Sequence, residues 1–169
     1  HNGREETTTM VLIPAVCAAV NIPVLAAGGI ATGRQMLASM VLGAEGVQVG
    51  SRFVASNEAS SHENFKNLVI NSGEGDTHLS LKQLTPVRLL KNDFFNLVQQ
   101  AENKGASTDE LKKLFGSGRA KLGMLEGHLA EGGLEIGQVS AIIKTIKPAA
   151  EIVEEMYKEY EAALKQPVK

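Results

Sequence analysis

Two short strand-like runs near the start of the chain flank one helix-length segment. The run at 22–27 is apolar without polar alternation, which is typical of a parallel strand covered on both faces. A second strand is predicted over 46–49, and the segment 32–42 between the two predicts a helix that ends at Gly43. The pattern therefore indicates a strand–helix–strand unit of the α/β class.

A further helix is predicted ahead of the first strand. Pro14 suits the first turn of a helix, and the segment from there to Val20 is apolar. Thr7, Thr8 or Thr9 can cap this helix through a side-chain oxygen. We therefore predict that the polar stretch 1–10 leads into the helix as a loop.

The rest of the chain carries mostly helical signals. Periodicity and capping residues predict a short strand over 78–81, an irregular Gly-rich stretch over 116–137, and helices over 58–70, 93–102, 108–115, 136–146 and 149–164. The final helix is amphipathic, and one face carries Ile152, Val153, Met156, Tyr157, Tyr160, Ala163 and Leu164.

Both predicted strands run directly into a glycine turn. Gly28 and Gly29 follow the first strand, and Gly50 and Ser51 follow the second. Backbone N–H groups can approach a phosphate closely only where no Cβ intervenes, and the last two turns of (β/α)8 barrels often bind phosphate in this way. The alternative is a pair of tight turns without a ligand. We favour a flavin or another phosphate-bearing ligand, with the Ser51 hydroxyl as an additional group.

Composition narrows the class of protein. The 169 residues are 43% hydrophobic and 21% charged, as in a globular domain with a real core. A net charge of −2 and the absence of Trp argue against nucleic-acid binding. The apolar runs are too short for a membrane span. A single cysteine, Cys17, leaves no partner for an internal disulfide and fits a reducing compartment, so we expect a cytoplasmic protein without a membrane or nucleic-acid partner.

Few other side chains carry a chemical signal. His1 could act as a general base or hydrogen-bond donor, although its position alone favours a terminal residue without a role. Arg52 could pair with a phosphate or a substrate carboxylate, but we favour a structural ion pair. The other histidines, His62, His78 and His128, have no ligand spacing to one another, so no metal site is expected.

The chain begins without Met and contains two convincing parallel strands. A closed (β/α)8 barrel usually needs about 250 residues. We therefore expect the sequence to be the C-terminal part of a longer protein.

Three blocks, taken together, resemble the nitronate monooxygenase (2-nitropropane dioxygenase) family. They are His1-Asn2-Gly3, the stretch 22–30 with its Ala-Ala-Gly-Gly-Ile turn, and the stretch 46–53 with its Gly-Val-Gln-Val-Gly-Ser-Arg-Phe turn. The family includes flavin-dependent type II enoyl-ACP reductases. The resemblance implies an α/β fold, namely the C-terminal part of an FMN-binding TIM barrel plus a smaller, mostly helical lid region.

The resemblance also implies domains and roles. Residues 1–72 would form the last βα units with the FMN phosphate cradle, 73–133 the lid-like region, and 134–169 the C-terminal helices that pack back on the barrel. His1 matches the catalytic histidine, although the two glycines that precede it in the family are missing here. The implied FMN-binding residues are Ala27, Gly28, Gly29, Gly50 and Ser51, where Ser51 replaces the more common Thr.

Two activities follow from the resemblance. One is oxidation of alkyl nitronates with O2 by an FMN-dependent enzyme. The other is reduction of an enoyl thioester with NAD(P)H and an acyl-carrier protein as partner in fatty-acid synthesis, and the blocks at 60–66 and 132–138 are more similar to that branch. In either case a homodimer is compatible with the family. A third alternative is that the chain as supplied is a non-catalytic fragment.

Overall fold

A computed structural model describes residues 6–166 of the chain. The elements in chain order are α1 (Thr9–Ala19), β1 (Leu25–Ala27), α2 (Gly33–Val41), β2 (Gly46–Gln48), α3 (Ser51–Val54), α4 (Glu63–Asn71), β3 (Thr77–Ser80), β4 (Val87–Leu90), α5 (Asp93–Asn103), α6 (Thr108–Phe115), a π-helical turn (Lys121–Leu125), a 3-10 turn (Gln138–Ile142) and α7 (Ala149–Leu164).

The strand–helix–strand unit forms as predicted. β1 pairs with β2 in parallel, with Ala27 opposite Gln48, and α2 connects them. Thr32 begins α2 with a capping box: its hydroxyl accepts from the N–H of Gln35, and the Gln35 side chain accepts from the N–H of Thr32. Gly43 ends the helix at φ +107°, a conformation that favours glycine.

Three apolar clusters hold the elements together. The first lies between the βαβ unit and the last helix and contains Ile13, Ala26, Ile30, Ala44, Ile152 and Met156. The second lies between the hairpin and the two helices that follow it, with Leu81, Val87, Leu89, Phe94, Phe95, Val98 and Leu111. The third cluster combines residues from the turn after β1, from α4, from β4 and from the 134–143 segment. Its members are Ala31, Ala55, Phe65, Val69, Leu90, Leu134, Ile136, Val139 and Ile143.

The segment 73–133 contains an antiparallel hairpin as well as its helices. β3 pairs with β4, with Thr77 opposite Leu90 and Ser80 opposite Val87. β3 was predicted, whereas β4 was missed, because only its pairing distinguishes this short apolar stretch from a loop. The division of the chain at 72 and 133 stays a prediction.

The start of α1 was predicted wrongly. The helix begins at Thr9, so Pro14 lies inside it, and Thr8 occupies the N-cap position without a side-chain cap hydrogen bond. A proline inside a helix removes one backbone hydrogen bond. Ile13, only 4% exposed, packs into the first cluster ahead of the proline. We infer that this packing holds the first turn against the local preference.

Two other predicted helices were too long. The helix predicted from residue 58 begins only at Glu63, where the His62 side chain accepts from the N–H of Asn64. The helix predicted over 136–146 is reduced to the short 3-10 turn, because the residues before it pair with β4: the N–H of Ile136 donates to the carbonyl of Arg88. Pairing with a distant strand therefore replaces the local helical preference.

Fewer residues of α7 are buried than its predicted apolar face contains. Ile152 and Met156 are buried, whereas Val153, Tyr157 and Leu164 are more than half exposed. α2 packs against the side of α7 that carries the two buried residues, and the described residues leave the neighbouring side uncovered. No helix within residues 6–166 is both long and apolar enough to cross a membrane.

Candidate functional site

The two glycine turns lie side by side. β1 and β2 run parallel and end level with each other, so Gly28 and Gly29 leave the same edge of the sheet as Val49 and Gly50. This edge is the carboxyl end of the strands, where ligands bind in α/β proteins. The structure therefore brings together the predicted residues Ala27, Gly28, Gly29, Gly50 and Ser51.

The backbone at the first turn requires glycine. Gly28 has φ +100° and Gly29 has φ +75°, a region that side chains with a Cβ rarely adopt. A Cβ built on Gly28 would meet nothing within 4 Å. No atom of the described residues therefore fills the space next to Gly28.

The second turn is open for a different reason. Gly50 has φ −103°, which any residue adopts, and a Cβ at this position would also meet nothing within 4 Å. Neither conformation nor packing of the described residues requires glycine there. A ligand that approaches the backbone closely would require it. In α3, which begins at Ser51, the N–H groups of Phe53 and Val54 donate to the Gly50 carbonyl, whereas those of Ser51 and Arg52 have no backbone partner within the described residues. This open surface fits a phosphate.

The start of α1 lies next to the first turn. The Thr9 hydroxyl donates a hydrogen bond of 3.2 Å to the carbonyl of Gly28. The residue predicted to be catalytic, His1, lies outside the described residues, so its position relative to the turns stays a prediction.

Ser51 already has one backbone partner. Its Oγ accepts a hydrogen bond of 3.1 Å from the N–H of Gly137, in the segment that leads into the 3-10 turn. The hydroxyl proton is still available for donation. Ser51 can therefore fix the 134–137 segment beside the glycine turn and bind a phosphate oxygen at the same time.

The substitution Ser51→Ala tests this double role. We expect it to lower the free energy of unfolding of the flavin-free protein by about 1 kcal/mol, because the Gly137 N–H loses its acceptor. If Ser51 binds the flavin phosphate as the resemblance implies, we also expect lower flavin retention in Ser51→Ala, whereas Ser51→Thr should keep both stability and flavin. The measurements are thermal unfolding and flavin bound per chain. Unchanged stability and flavin content in Ser51→Ala would remove Ser51 from the site.

Arg52 has a structural role. Its side chain is 6% exposed and donates a hydrogen bond of 3.0 Å to the carbonyl of Thr145. Burial lowers the pKa of the guanidinium, and the carboxylates of Glu155 and Glu159 oppose this shift. The preferred interpretation was a structural ion pair. Within residues 6–166 the role is structural, but the guanidinium pairs with the Thr145 carbonyl rather than with a carboxylate, so the predicted ion pair is wrong.

Sequence reasoning missed Glu135 and the cavity beside it. A cavity of about 710 Å³ lies between the hairpin tip (81–87), α6 and Glu135. Burial raises the pKa of the Glu135 carboxyl. The signal in the sequence was one acidic residue between two apolar ones, Leu134 and Ile136, in a glycine-rich stretch.

Cys17 and the three histidines within residues 6–166 form no metal site. Cys17 is a free, half-buried thiol that packs against Gly43, where a Cβ would lie 3.2 Å from its Sγ. In the described part of the chain, no group of three or more His, Cys, Asp or Glu side chains lies close enough together to hold a metal ion.

Solved structures confirm the class of protein. FabK from Thermotoga maritima matches 95% of this chain and 51% of its own, with a TM-score of 0.89 and 37% identity. A nitroalkane oxidase from Streptomyces ansochromogenes matches 92% of this chain and 44% of its own, with a TM-score of 0.76 and 27% identity. The chain is an α/β protein that forms part of a TIM barrel.

The family follows from sequence. Residues 1–159 match the sequence model of the family described as nitronate monooxygenase, and the chain belongs to that family. A "probable nitronate monooxygenase" of Staphylococcus saprophyticus is 41% identical over 98 residues, which are 57% of this chain and 27% of that protein. One from Staphylococcus aureus strain Newman is 51% identical over 69 residues, or 41% of this chain and 19% of that protein. The chain spans about half the length of its solved relatives.

Proposed function

We propose that the chain supplies the phosphate-binding part of an FMN-dependent oxidoreductase that oxidises alkyl nitronates with O2. The observation that carries the proposal is the pair of open glycine turns at the carboxyl edge of β1 and β2. A phosphate fits there because Gly28 and Gly50 leave space for it. Membership of the nitronate monooxygenase family supports the activity.

The chain's own residues would bind and orient the cofactor. Backbone N–H groups around Gly28, Gly29 and Gly50 would donate to the phosphate, and Ser51 would add its hydroxyl while it holds the 134–137 segment in place. When bound, FMN supplies the capacity to accept electrons from the substrate and pass them to O2. His1 would hold or accept a proton at its imidazole beside the substrate.

An FMN-dependent enoyl-ACP reductase is the second candidate. The cavity beside Glu135 favours it, because its wall is largely apolar and a volume of about 710 Å³ accommodates an acyl chain. NAD(P)H would be the reductant and an acyl-carrier protein the partner. The resemblance of the blocks at 60–66 and 132–138 to this branch supports the same assignment.

Location and assembly are part of the proposal. A net charge of −2 and a free Cys17 support a cytoplasmic enzyme that acts on small molecules, without a nucleic-acid or membrane partner, and we propose a homodimer. Large apolar side chains in α1 and just before β1 are exposed, among them Met10 (66%) and Ile22 (69%). This exposure supports the alternative that residues 1–169 alone are a non-catalytic fragment.

The test uses the protein expressed from its full reading frame and purified with its flavin. It is mixed anaerobically with an alkyl nitronate and, separately, with NADH or NADPH, and the flavin absorbance is followed. We expect rapid bleaching by the nitronate, and His1→Ala should slow this bleaching at least ten-fold with the flavin still bound. Bleaching by NAD(P)H alone would contradict the nitronate activity and support the reductase. Full activity in His1→Ala would remove His1 from the catalytic site.

A further inference from the structure

The last helix contacts the first residue of α2 through a carboxylate. The Gly33 N–H donates a hydrogen bond of 2.7 Å to Glu159 of α7. α7 comes this close because Gly33 has no Cβ, which would overlap the carbonyl oxygen of Met156. The positive end of the α2 dipole favours a carboxylate at this place. Glu159 therefore fixes the point at which α2 begins.

The chain between the first glycine turn and α2 has little freedom to move independently. Ile30 and Ala31 are buried. The N–H of Ala31 donates a hydrogen bond of 2.8 Å to the side chain of Gln35, which also accepts from the N–H of Thr32. Because these contacts join the stretch to the first turn of α2, a shift of α2 would displace the glycine turn as well. The contact with Glu159 therefore acts on the first glycine turn.

A buried arginine attaches the second glycine turn to the same part of the chain. Arg52 follows Ser51 directly, and its guanidinium donates a hydrogen bond of 3.0 Å to the carbonyl of Thr145. Thr145 lies in the segment that leads into α7. The stretch 145–159 therefore holds both turns, the first through Glu159 and the second through Arg52.

Both attachments line one small cavity. Its volume is about 160 Å³, and its polar wall residues are Thr32, Arg52, Lys144, Thr145, Glu155 and Glu159. Glu155 already pairs with Lys147, at 2.8 and 3.0 Å between Nζ and the two carboxylate oxygens. Glu159 forms no salt bridge within residues 6–166, and its charge raises the pKa of the Arg52 guanidinium against the lowering caused by burial. The opposite charges of Glu159 and Arg52 therefore draw the two attachments together.

We propose that Glu159 and Arg52 are positioning residues for the flavin phosphate: together they hold the two glycine turns at the separation at which both can bind one phosphate group. We call these two side chains, with the Gly33 N–H and the Thr145 carbonyl, the α7 clamp. The inference rests on the proposed FMN-dependent function. Neither side chain needs to touch the phosphate, because hydrogen bonds from the two turns weaken steeply once their donors move out of line or out of reach.

The test compares FMN with riboflavin, which is the same flavin without the phosphate. Protein expressed from the full reading frame is freed of flavin and titrated with each, and the ratio of the two dissociation constants measures what the phosphate contributes. We expect the wild type to bind FMN about a hundred-fold more tightly than riboflavin, as two or more charge-assisted hydrogen bonds would give. In Glu159→Ala this ratio should fall at least ten-fold, because FMN loses affinity and riboflavin does not.

Two further variants complete the comparison. Arg52→Met removes the guanidinium and keeps most of the side-chain volume, and we expect the same fall in the ratio. Glu161→Ala removes an exposed carboxylate from the same helix, outside the cavity wall, and should keep the wild-type ratio. If Arg52→Met does not fold, Glu159→Ala decides, since Glu159 is only half-buried.

Thermal unfolding of the flavin-free samples accompanies the titrations. A merely structural role would lower stability and weaken the binding of both flavins alike. An equal loss of affinity for both flavins in Glu159→Ala, or a wild-type ratio in this variant, would therefore overturn the α7 clamp and leave the proposed function intact. A wild type that does not prefer FMN to riboflavin would contradict the phosphate site, and with it both the proposed function and the clamp.

Discussion

Gly33→Ala is expected to lower the free energy of unfolding by about 3 kcal/mol or more. A Cβ on Gly33 would overlap the carbonyl oxygen of Met156 and the backbone nitrogen of Tyr160, and it would lie 2.6 Å from the Cβ of Glu159. Two of these atoms belong to the backbone of α7, so rotation of a side chain cannot relieve the overlap. α7 has to move away from α2, and Ile152 and Met156 then lose part of their burial.

The sign of this effect distinguishes packing from helix propensity. Gly33 is the first residue of α2, and in a helix without neighbours the same change would stabilise by up to about 1 kcal/mol. The Gly33 N–H also donates a hydrogen bond of 2.7 Å to Glu159, which the displaced helix would lose. The measurement is chemical unfolding of Gly33→Ala beside Gly50→Ala, since a Cβ at Gly50 meets nothing within 4 Å. Equal stability of the two variants would show that α7 does not pack on α2 as described.

The βαβ unit could be predicted because local chemistry specifies each of its ends. Thr32 and Gln35 form a capping box within four residues of chain, and Gly43 supplies the left-handed residue that ends the helix. The two glycine turns follow directly from the strand ends. The parallel pairing of two adjacent strands then brings the turns together, so their proximity could be predicted from sequence alone.

The elements that were missed depend on contacts between distant residues. The 134–136 segment is extended because Leu90 and Ile136 donate N–H groups across the β4 pairing, at a separation of more than forty residues. Glu135 lines the cavity at the hairpin tip for the same reason, and no local signal relates it to the tip of a hairpin fifty residues earlier. Val153 and Tyr157 of α7 were predicted to share the apolar face of Ile152. Periodicity shows which residues form an apolar face, but it does not show how much of that face a neighbouring element covers.

Gly28→Ala is expected to reduce flavin retention at least ten-fold. The substitution has a conformational cost of about 1 kcal/mol, because Gly28 lies at φ +100°, and its Cβ points into open space where the proposed phosphate binds. Gly105→Ala is the matched control: Gly105 also has a positive φ, +74°, and open surroundings, but it lies at the end of α5. The two variants should therefore lose similar stability, and only Gly28→Ala should lose flavin.

Gly50→Val separates the loss of a ligand contact from the loss of fold stability, because the Gly50 backbone carries no conformational strain. Gly50 has φ −103° and free space around it, so the flavin-free variant should unfold within about 1 kcal/mol of the wild type. If a phosphate lies against the backbone at both turns, the valine side chain occupies its place, and flavin per chain falls at least ten-fold. The measurements are the flavin absorbance of the purified protein and titration of the flavin-free protein with FMN. Because the free energy of unfolding stays near the wild-type value, a loss of flavin in Gly50→Val reports contact with the ligand rather than damage to the fold. Wild-type flavin content in this variant would place the phosphate away from the second turn.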